Sequence, residues 1–217
     1  NNIHHNYAKE VWEKDRKHFI HPWTNFSSFD KDGSLVMNEA KGAYVTDIDG
    51  KVYLDGIGGL WCVNVGYGRD EIADAIADQA RKMPYFNPFT DTTNVPAAEL
   101  SAKLAELAPG DLNHVMFTGG GSTANDSAYR LIQYYQRDRG KPEKRNIIAR
   151  KEAYHGSTYL TAGLSGKEMD KNPNFEFDYD DIHHISTPDP YRRPDGMTEE
   201  AFTISLVEEF DQKVQEL

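Results

Sequence analysis

Only one cysteine, Cys62, occurs in the 217 residues, so no disulfide can close within the chain. Its place between Trp61 and Val63 favours a buried structural thiol over a nucleophile. No apolar run approaches the length of a membrane span and no segment has the layout of a signal peptide, which makes the cytoplasm the default compartment. Positive charge is scarce as well: 24 Lys and Arg stand against 35 Asp and Glu, a net charge of −11. A nucleic acid or an anionic membrane needs a basic face that no segment supplies, so the expected partners are small molecules. Repeats and low-complexity segments are missing. With 38% hydrophobic and 27% charged residues, the composition is that of a globular chain able to bury one good core or two small ones.

The most specific stretch runs from His114 to Arg139. Val115-Met116-Phe117 reads as an apolar strand that passes through Thr118 into Gly119-Gly120-Gly121-Ser122-Thr123 and opens a helix. Glycines permit torsions and close approaches denied to residues with Cβ, and a helix start offers unpaired N–H groups at the positive end of its dipole, so an anion fits there. Ala124, Ala128, Leu131, Ile132 and Tyr135 share one face of the helix, which is expected to pack on a sheet. A P-loop is excluded, because Gly121 stands where the lysine before the hydroxyl is required. Gly119, Gly121 and Ala124 do satisfy the dinucleotide pattern G-x-G-x-x-[GA], and Arg150 lies downstream, so an NADP-dependent oxidoreductase is the alternative. Its weakness is that the strand 146–149 runs into Arg150-Lys151 and not into the acidic residue that would hold a ribose. The plainer reading is that the glycines turn the chain and Ser122 caps the helix.

Elsewhere the pattern is conventional. Residues 7–19 read as a polar helix with Val11, Trp12 and Phe19 as its contact face, and His21-Pro22-Trp23-Thr24 as an extended arm. Leu35–Met37, Ala43–Ile48 and Val52–Leu54 read as a small antiparallel sheet with a hairpin at Asp49-Gly50. Gly56, Gly58 and Gly59 then lead through Leu60-Trp61-Cys62-Val63 to Gly66-Tyr67-Gly68, which suits a pocket wall as well as an ordinary packed connection. Helices follow from about Asp70 to Pro84, carrying Ile72, Ile76, Ala80 and Met83, and from about Pro96 to Pro109, carrying Leu100, Leu104 and Leu107. The aromatic loop Tyr85-Phe86-Asn87-Pro88-Phe89 lies between them.

Asn146–Ala149 reads as a short parallel strand, completing a βαβ unit with 115–117 and the central helix. Tyr154-His155-Gly156-Ser157-Thr158 should then lie on the ligand-binding edge beside the glycine turn. In the loop-rich stretch 166–194, a carboxylate among Asp178, Asp180 and Asp181 together with His183-His184 invites a metal reading. Adjacent residues on a strand point to opposite sides, so no metal is expected. A last helix from Thr198 carries Phe202, Leu206, Phe210 and Val214 without a stop signal, in a rhythm that expects a further strand.

His21-Pro22-Trp23-Thr24, the hairpin Asp47-Ile48-Asp49-Gly50 leading to Tyr53-Leu54-Asp55, Gly59-Leu60-Trp61 with Gly66-Tyr67, Phe117-Thr118 through Asn125, and Tyr154-His155-Gly156 occur in that order. Together they resemble the class III pyridoxal-phosphate-dependent aminotransferases of ω-transaminase type. The resemblance implies an α/β fold-type I transferase. Residues 1–68 would form an N-terminal arm and part of the small domain with its antiparallel sheet. Residues 69–217 would form the first, incomplete part of the large domain with a mainly parallel sheet.

It implies pyridoxal phosphate as cofactor, its phosphate on Gly121 and Ser122. Gly120 stands where relatives commonly carry serine, and Thr123 replaces a frequent glutamate and offers a further donor. Tyr154 would stack on the pyridine ring, with His155 and Gly156 shaping the turn behind it. Trp23, Leu60, Trp61 and Phe89 would line the substrate pocket, Phe89 reaching across a homodimer. The implied reaction moves an amino group from an amine or amino acid to a keto acid such as pyruvate. The Schiff-base lysine, the aspartate at the pyridinium nitrogen and the arginine for a substrate carboxylate belong beyond the equivalent of Leu217. No catalytic residue is therefore expected here, and the chain should be an N-terminal half, inactive alone. A non-catalytic binding or assembly fragment is the third reading.

Overall fold

A computed structural model describes residues 2–177 and 179–217. Two compact units emerge, Asn1–Ala98 and Glu99–Leu217. Residues 69–98, which the resemblance assigns to the large domain, group with the first unit.

The first unit opens with α1 (Asn2–His18), which ends on Arg16, Lys17 and His18, cations at the negative end of the helix dipole. α2 (Phe26–Asp32) has no counterpart in the pattern reading. Its signals are local: the Asn25 side chain accepts the Ser27 N–H at 3.1 Å, and Gly33 closes the helix with φ 64°. β1 (Met37–Lys41), β2 (Tyr44–Asp47) and β3 (Val52–Leu54) form the antiparallel sheet in the order β1-β2-β3. β1 lies further along than the expected 35–37, because the ladder starts where Met37 pairs with Asp47.

The β2–β3 hairpin is built around one carboxylate. Asp47 is only 7% exposed, and it accepts the N–H groups of Asp49 (3.1 Å) and Lys51 (2.8 Å) and the Tyr53 hydroxyl (2.8 Å). The Tyr53 hydrogen bond, with the backbone N–H groups behind it, holds the Asp47 carboxyl below the usual carboxylate range. After a one-turn segment, α3 (Gly58–Trp61), come α4 (Asp70–Lys82) and α5 (Val95–Leu107), both where periodicity and proline placement put them.

The second unit contains α6 (Gly121–Asp138), β4 (Ile147–Arg150), α7 (Tyr159–Leu164), β5 (Ile182–Ile185) and α8 (Glu199–Glu216). β4 and β5 pair in parallel, Ile147 with Ile182 through Arg150 with Ile185, and α7 lies in the connection between them. The βαβ unit is therefore β4-α7-β5. Residues 115–117 are not a strand, which corrects the sequence expectation. A strand exists only as a partner in a ladder, and an apolar triplet cannot reveal whether a partner reaches it.

The expected inner face of α6 is also uncovered, with Leu131 57%, Ile132 54% and Tyr135 54% exposed. The total accessible surface is 17557 Å². A folded protein of this mass exposes roughly 10,000 Å², or roughly 12,000 Å² if counted as two separate domains. Apolar stripes such as that of α6 are thus present with correct spacing and little to cover them. Among the described residues, no helix is long and apolar enough to cross a membrane.

Candidate functional site

α6 begins without a side-chain cap: its N-cap is Gly120. Gly120 has φ 171° and ψ 173°, extended backbone open to any residue, so torsion is not what requires glycine here. Space is. A Cβ built on Gly119, Gly120 or Gly121 would meet no atom within 4 Å, which leaves an open volume in front of a long helix's N-terminus. The first intrahelical bond runs from Ala124 N–H to Gly120 O at 2.9 Å, so the N–H groups of Gly121, Ser122 and Thr123 precede the ladder and face that opening. An anionic group is what such a cradle fits.

The side chains of the turn divide their tasks. Thr118 and Thr123 both donate their hydroxyls to Gly120 O, at 3.1 and 2.8 Å. Thr123, expected as a further donor, thus has its hydroxyl committed to the turn and offers only its N–H. Ser122 is different: its Oγ accepts the Ser157 N–H at 3.1 Å, which leaves its own proton to donate.

That bond also joins the two motifs. Asn125 Nδ2 donates to His155 O at 2.8 Å, and Gly156 lies so close that a Cβ there would sit 2.5 Å from Ser122 Oγ and 2.5 Å from Thr161 Oγ1. Gly156 also has φ 133°, a conformation that side chains disfavour. From below, α7 holds the segment: Thr158 and Thr161 form its capping box, Thr161 is fully buried, and Ser165 Oγ accepts the His155 N–H at 2.9 Å. Ser157 and Asn125 fell within the motif stretches without a role of their own, and Thr161 and Ser165 were not singled out from the pattern. The spacing Thr158-x-x-Thr161 before an apolar run was the signal available.

Tyr154, at the edge of this junction, is 56% exposed. Burial pushes the His155 imidazole below its usual range, and the neighbouring His184 and Arg150 push the same way, so the ring is neutral near pH 7. Its Nε2 is buried with no hydrogen-bond partner among the described residues. A Gly156→Ala substitution is expected to destabilise the protein by about 1–3 kcal/mol through overpacking. It should also loosen anion binding at Ser122. Thermal melting together with ligand titration checks both, and an unaltered melting temperature would show that the junction relaxes freely.

The other candidates, Trp23, Leu60, Trp61 and Phe89, all belong to the first unit and are exposed. Among the described residues, five without glycine's freedom have left-handed backbone: Trp23 (φ 61°), Leu60 (60°), Trp61 (66°), Thr90 (57°) and Glu152 (59°). Three are pocket candidates and Thr90 adjoins Phe89. Each costs about 1–2 kcal/mol, and strain of this kind gathers where function requires a side chain in an awkward place. No ring contact links Trp23, Trp61 and Phe89 among the described residues. Cys62, expected to be buried, is exposed, with its thiol directed at Leu60 O at 3.4 Å. The turn that carries Leu60 and Trp61 projects it outward.

Two rival readings lose their basis. The dinucleotide pattern requires a strand feeding the glycine turn, and none is there. His183 and His184 alternate as strand neighbours must: His183 Nε2 lies 3.2 Å from Asn146 Oδ1, and His184 Nε2 lies 3.0 Å from Leu164 O. Asp181 pairs with Arg145 at 3.1 Å, and Asp178 lies outside the described residues.

Known proteins share this fold. The chain is 36% identical to a putrescine–pyruvate aminotransferase of Pseudomonas aeruginosa over 210 residues, which is 97% of this chain and 46% of that relative. An (S)-enantioselective ω-transaminase from Thermomicrobium roseum has the same α/β fold with a TM-score of 0.91 and 36% identity, covering 96% of this chain and 46% of its own. A thermostable ω-transaminase with a tryptophan replaced by glycine, engineered for asymmetric synthesis of enantiopure bulky amines, matches with a TM-score of 0.91 and 32% identity over 94% of this chain and 46% of its own. The chain thus spans about half the length of the relatives it matches. The aminotransferase class-III family model matches residues 27–216, which include the whole glycine turn and its Tyr154-His155-Gly156 partner, and the chain belongs to that family.

Proposed function

We propose that the intact protein is a pyridoxal-phosphate-dependent aminotransferase that moves an amino group from an amine or amino acid donor to a keto acid of the pyruvate type. The observation that carries this is the open volume before the uncapped start of α6, bordered by a Ser122 hydroxyl free to donate. The N–H groups of Gly121, Ser122 and Thr123 and the Ser122 hydroxyl would hold the cofactor phosphate, each charged hydrogen bond contributing roughly 1.5–3 kcal/mol. The α6 dipole favours the same anion. When bound, the cofactor supplies an electron sink for the bonds of the amino-bearing carbon.

Tyr154 is exposed and offers a flat aromatic face for the ring. His155, neutral and directed inward, and Gly156 keep the Tyr154 turn against Ser122. Trp23, Leu60, Trp61 and Phe89 are assigned to the amine pocket, a reading supported by the strained backbone at or beside each of them. The relative that pairs putrescine with pyruvate favours pyruvate as acceptor, and the tryptophan-to-glycine enzyme made for bulky amines favours a tryptophan as the size gate. A homodimer and a cytoplasmic setting are proposed from the family resemblance, and the exposed cysteine fits a reducing compartment. We keep residues 69–217 as the cofactor-binding portion.

The test is to supply the intact protein with pyridoxal phosphate, pyruvate and a panel of amines and to follow alanine formation. Transfer from at least one amine is expected, and none from any donor or to any keto acid would defeat the proposal. Trp61→Ala is expected to raise kcat/KM for bulky over small amines by about 10-fold or more, since pocket shape acts through differential transition-state binding. An equal loss for all amines would remove Trp61 from the pocket.

A further inference from the structure

The segment α3 is a left-handed turn. Gly58, Gly59, Leu60 and Trp61 have φ 54°, 59°, 60° and 66° in succession, and two of these residues carry large side chains. Its backbone bonds run from Trp61 N–H to Ile57 O at 2.9 Å and from Cys62 and Val63 N–H to Gly58 O at 3.0 and 2.9 Å. Gly58 and Gly59 take this hand freely, but Leu60 and Trp61 prefer the right-handed alternative, so something outside these two residues must select it.

One carboxylate is placed to do so. Asp55 Oδ2 accepts the Gly59 N–H at 2.6 Å and the Tyr67 hydroxyl at 2.7 Å, while Oδ1 accepts the Ile57 N–H at 3.2 Å. Both partners are fastened to the small sheet. Asp55 N–H donates to Ala43 O at 2.9 Å, and Tyr67 exchanges backbone bonds with Gly42 at 3.0 and 2.8 Å. Gly59 is fitted into the clamp, since a Cβ there would lie 2.6 Å from Val63 Cγ2 and 3.0 Å from the Tyr67 hydroxyl. The Tyr67 hydrogen bond keeps the Asp55 carboxyl below its usual range, so the clamp is charged at neutral pH.

We propose that Asp55 and Tyr67 are positioning residues for substrate choice: their hydrogen-bonded clamp holds the left-handed turn that sets where Trp61 stands in the amine pocket. The inference rests on the reading of Trp61 as a pocket residue. Neither Asp55 nor Tyr67 contacts the substrate; they act through the backbone hand of Gly58–Trp61.

The experiment uses the intact holoenzyme with one small and one bulky amine. Tyr67→Phe removes a single hydroxyl and keeps the ring, and Asp55→Asn keeps an acceptor but removes its charge. Both are expected to shift the ratio of kcat/KM for bulky over small amine by on the order of 3- to 10-fold with pyridoxal-phosphate affinity unchanged. In a Trp61→Ala background, Tyr67→Phe should shift the ratio no further, because a residue that acts through Trp61 cannot act when it is gone. Should Asp55→Asn not fold, Tyr67→Phe carries the test. A ratio moved by Trp61→Ala but by neither clamp variant would overturn the positioning role and leave the pocket reading intact. A Tyr67→Phe shift persisting in full without Trp61 would overturn it too. If Trp61→Ala itself leaves the ratio unchanged, the pocket reading falls and this inference with it.

Discussion

Gly121→Val is expected to leave the protein folded while weakening pyridoxal-phosphate binding about 100-fold or more. The scaffold has room for the side chain: a Cβ at Gly121 meets nothing within 4 Å, and the residue lies at the first position of α6 without left-handed torsion. The intrinsic cost of valine there is below about 1 kcal/mol. The isopropyl group would occupy the volume before the helix end, however, and screen the N–H groups of Gly121 and Ser122. Loss of two charged hydrogen bonds, roughly 1.5–3 kcal/mol each, corresponds to roughly a factor of 100 to 10,000 in affinity. Spectroscopic titration with cofactor gives the affinity, and thermal melting reports the fold. Unchanged affinity would make the glycines a structural turn only. Lost binding accompanied by unfolding would show that the scaffold itself needs glycine at this position.

Residues 1–217 expressed alone should form no alanine from any amine and pyruvate. The resemblance places the Schiff-base lysine outside this stretch, and the relatives are more than twice as long as the portion matched. Cofactor would be held only by the phosphate cradle and the Tyr154 ring, so binding should be weak and reversible. The exposed faces of α4 and α6, with Ile76 65% and Leu131 57% exposed, should also make the isolated chain prone to association. The check combines an alanine assay with borohydride treatment and peptide mapping. Steady turnover with a lysine of this chain trapped by borohydride would refute the expectation and make that lysine the catalytic candidate.

Legibility in the sequence followed the range of the interactions involved. The Asp47–Gly50 hairpin could be read because its bonds span two to six residues, from Asp47 to Asp49, Lys51 and Tyr53. Helices α4, α5 and α6 could be read because periodicity, proline and glycine are local signals. The glycine turn was legible as a helix start, and of the two reasons read for its glycines, torsion and close approach, the structure shows open space and no torsional need at Gly120.

What the sequence by itself determined, then, is the helices α1, α4, α5, α6 and α8, the β2–β3 hairpin and the chemical character of the turns, whereas α2, α7 and β5 were not read from it. The tertiary structure alone decided that β4 pairs with β5 and that 115–117 does not join a sheet, that Ser122 meets the Ser157 N–H across 35 residues, and that Leu60 and Trp61 adopt the left-handed hand. The physical reason is common to all of them. A ladder bond or a close approach such as Gly156 to Ser122 gains its energy from a partner far along the chain, and the turn of Leu60 and Trp61 is tied through Asp55 to Ala43 and Tyr67, each 12 residues from that carboxylate. Which distant group reaches which is settled only when the backbone between them has folded.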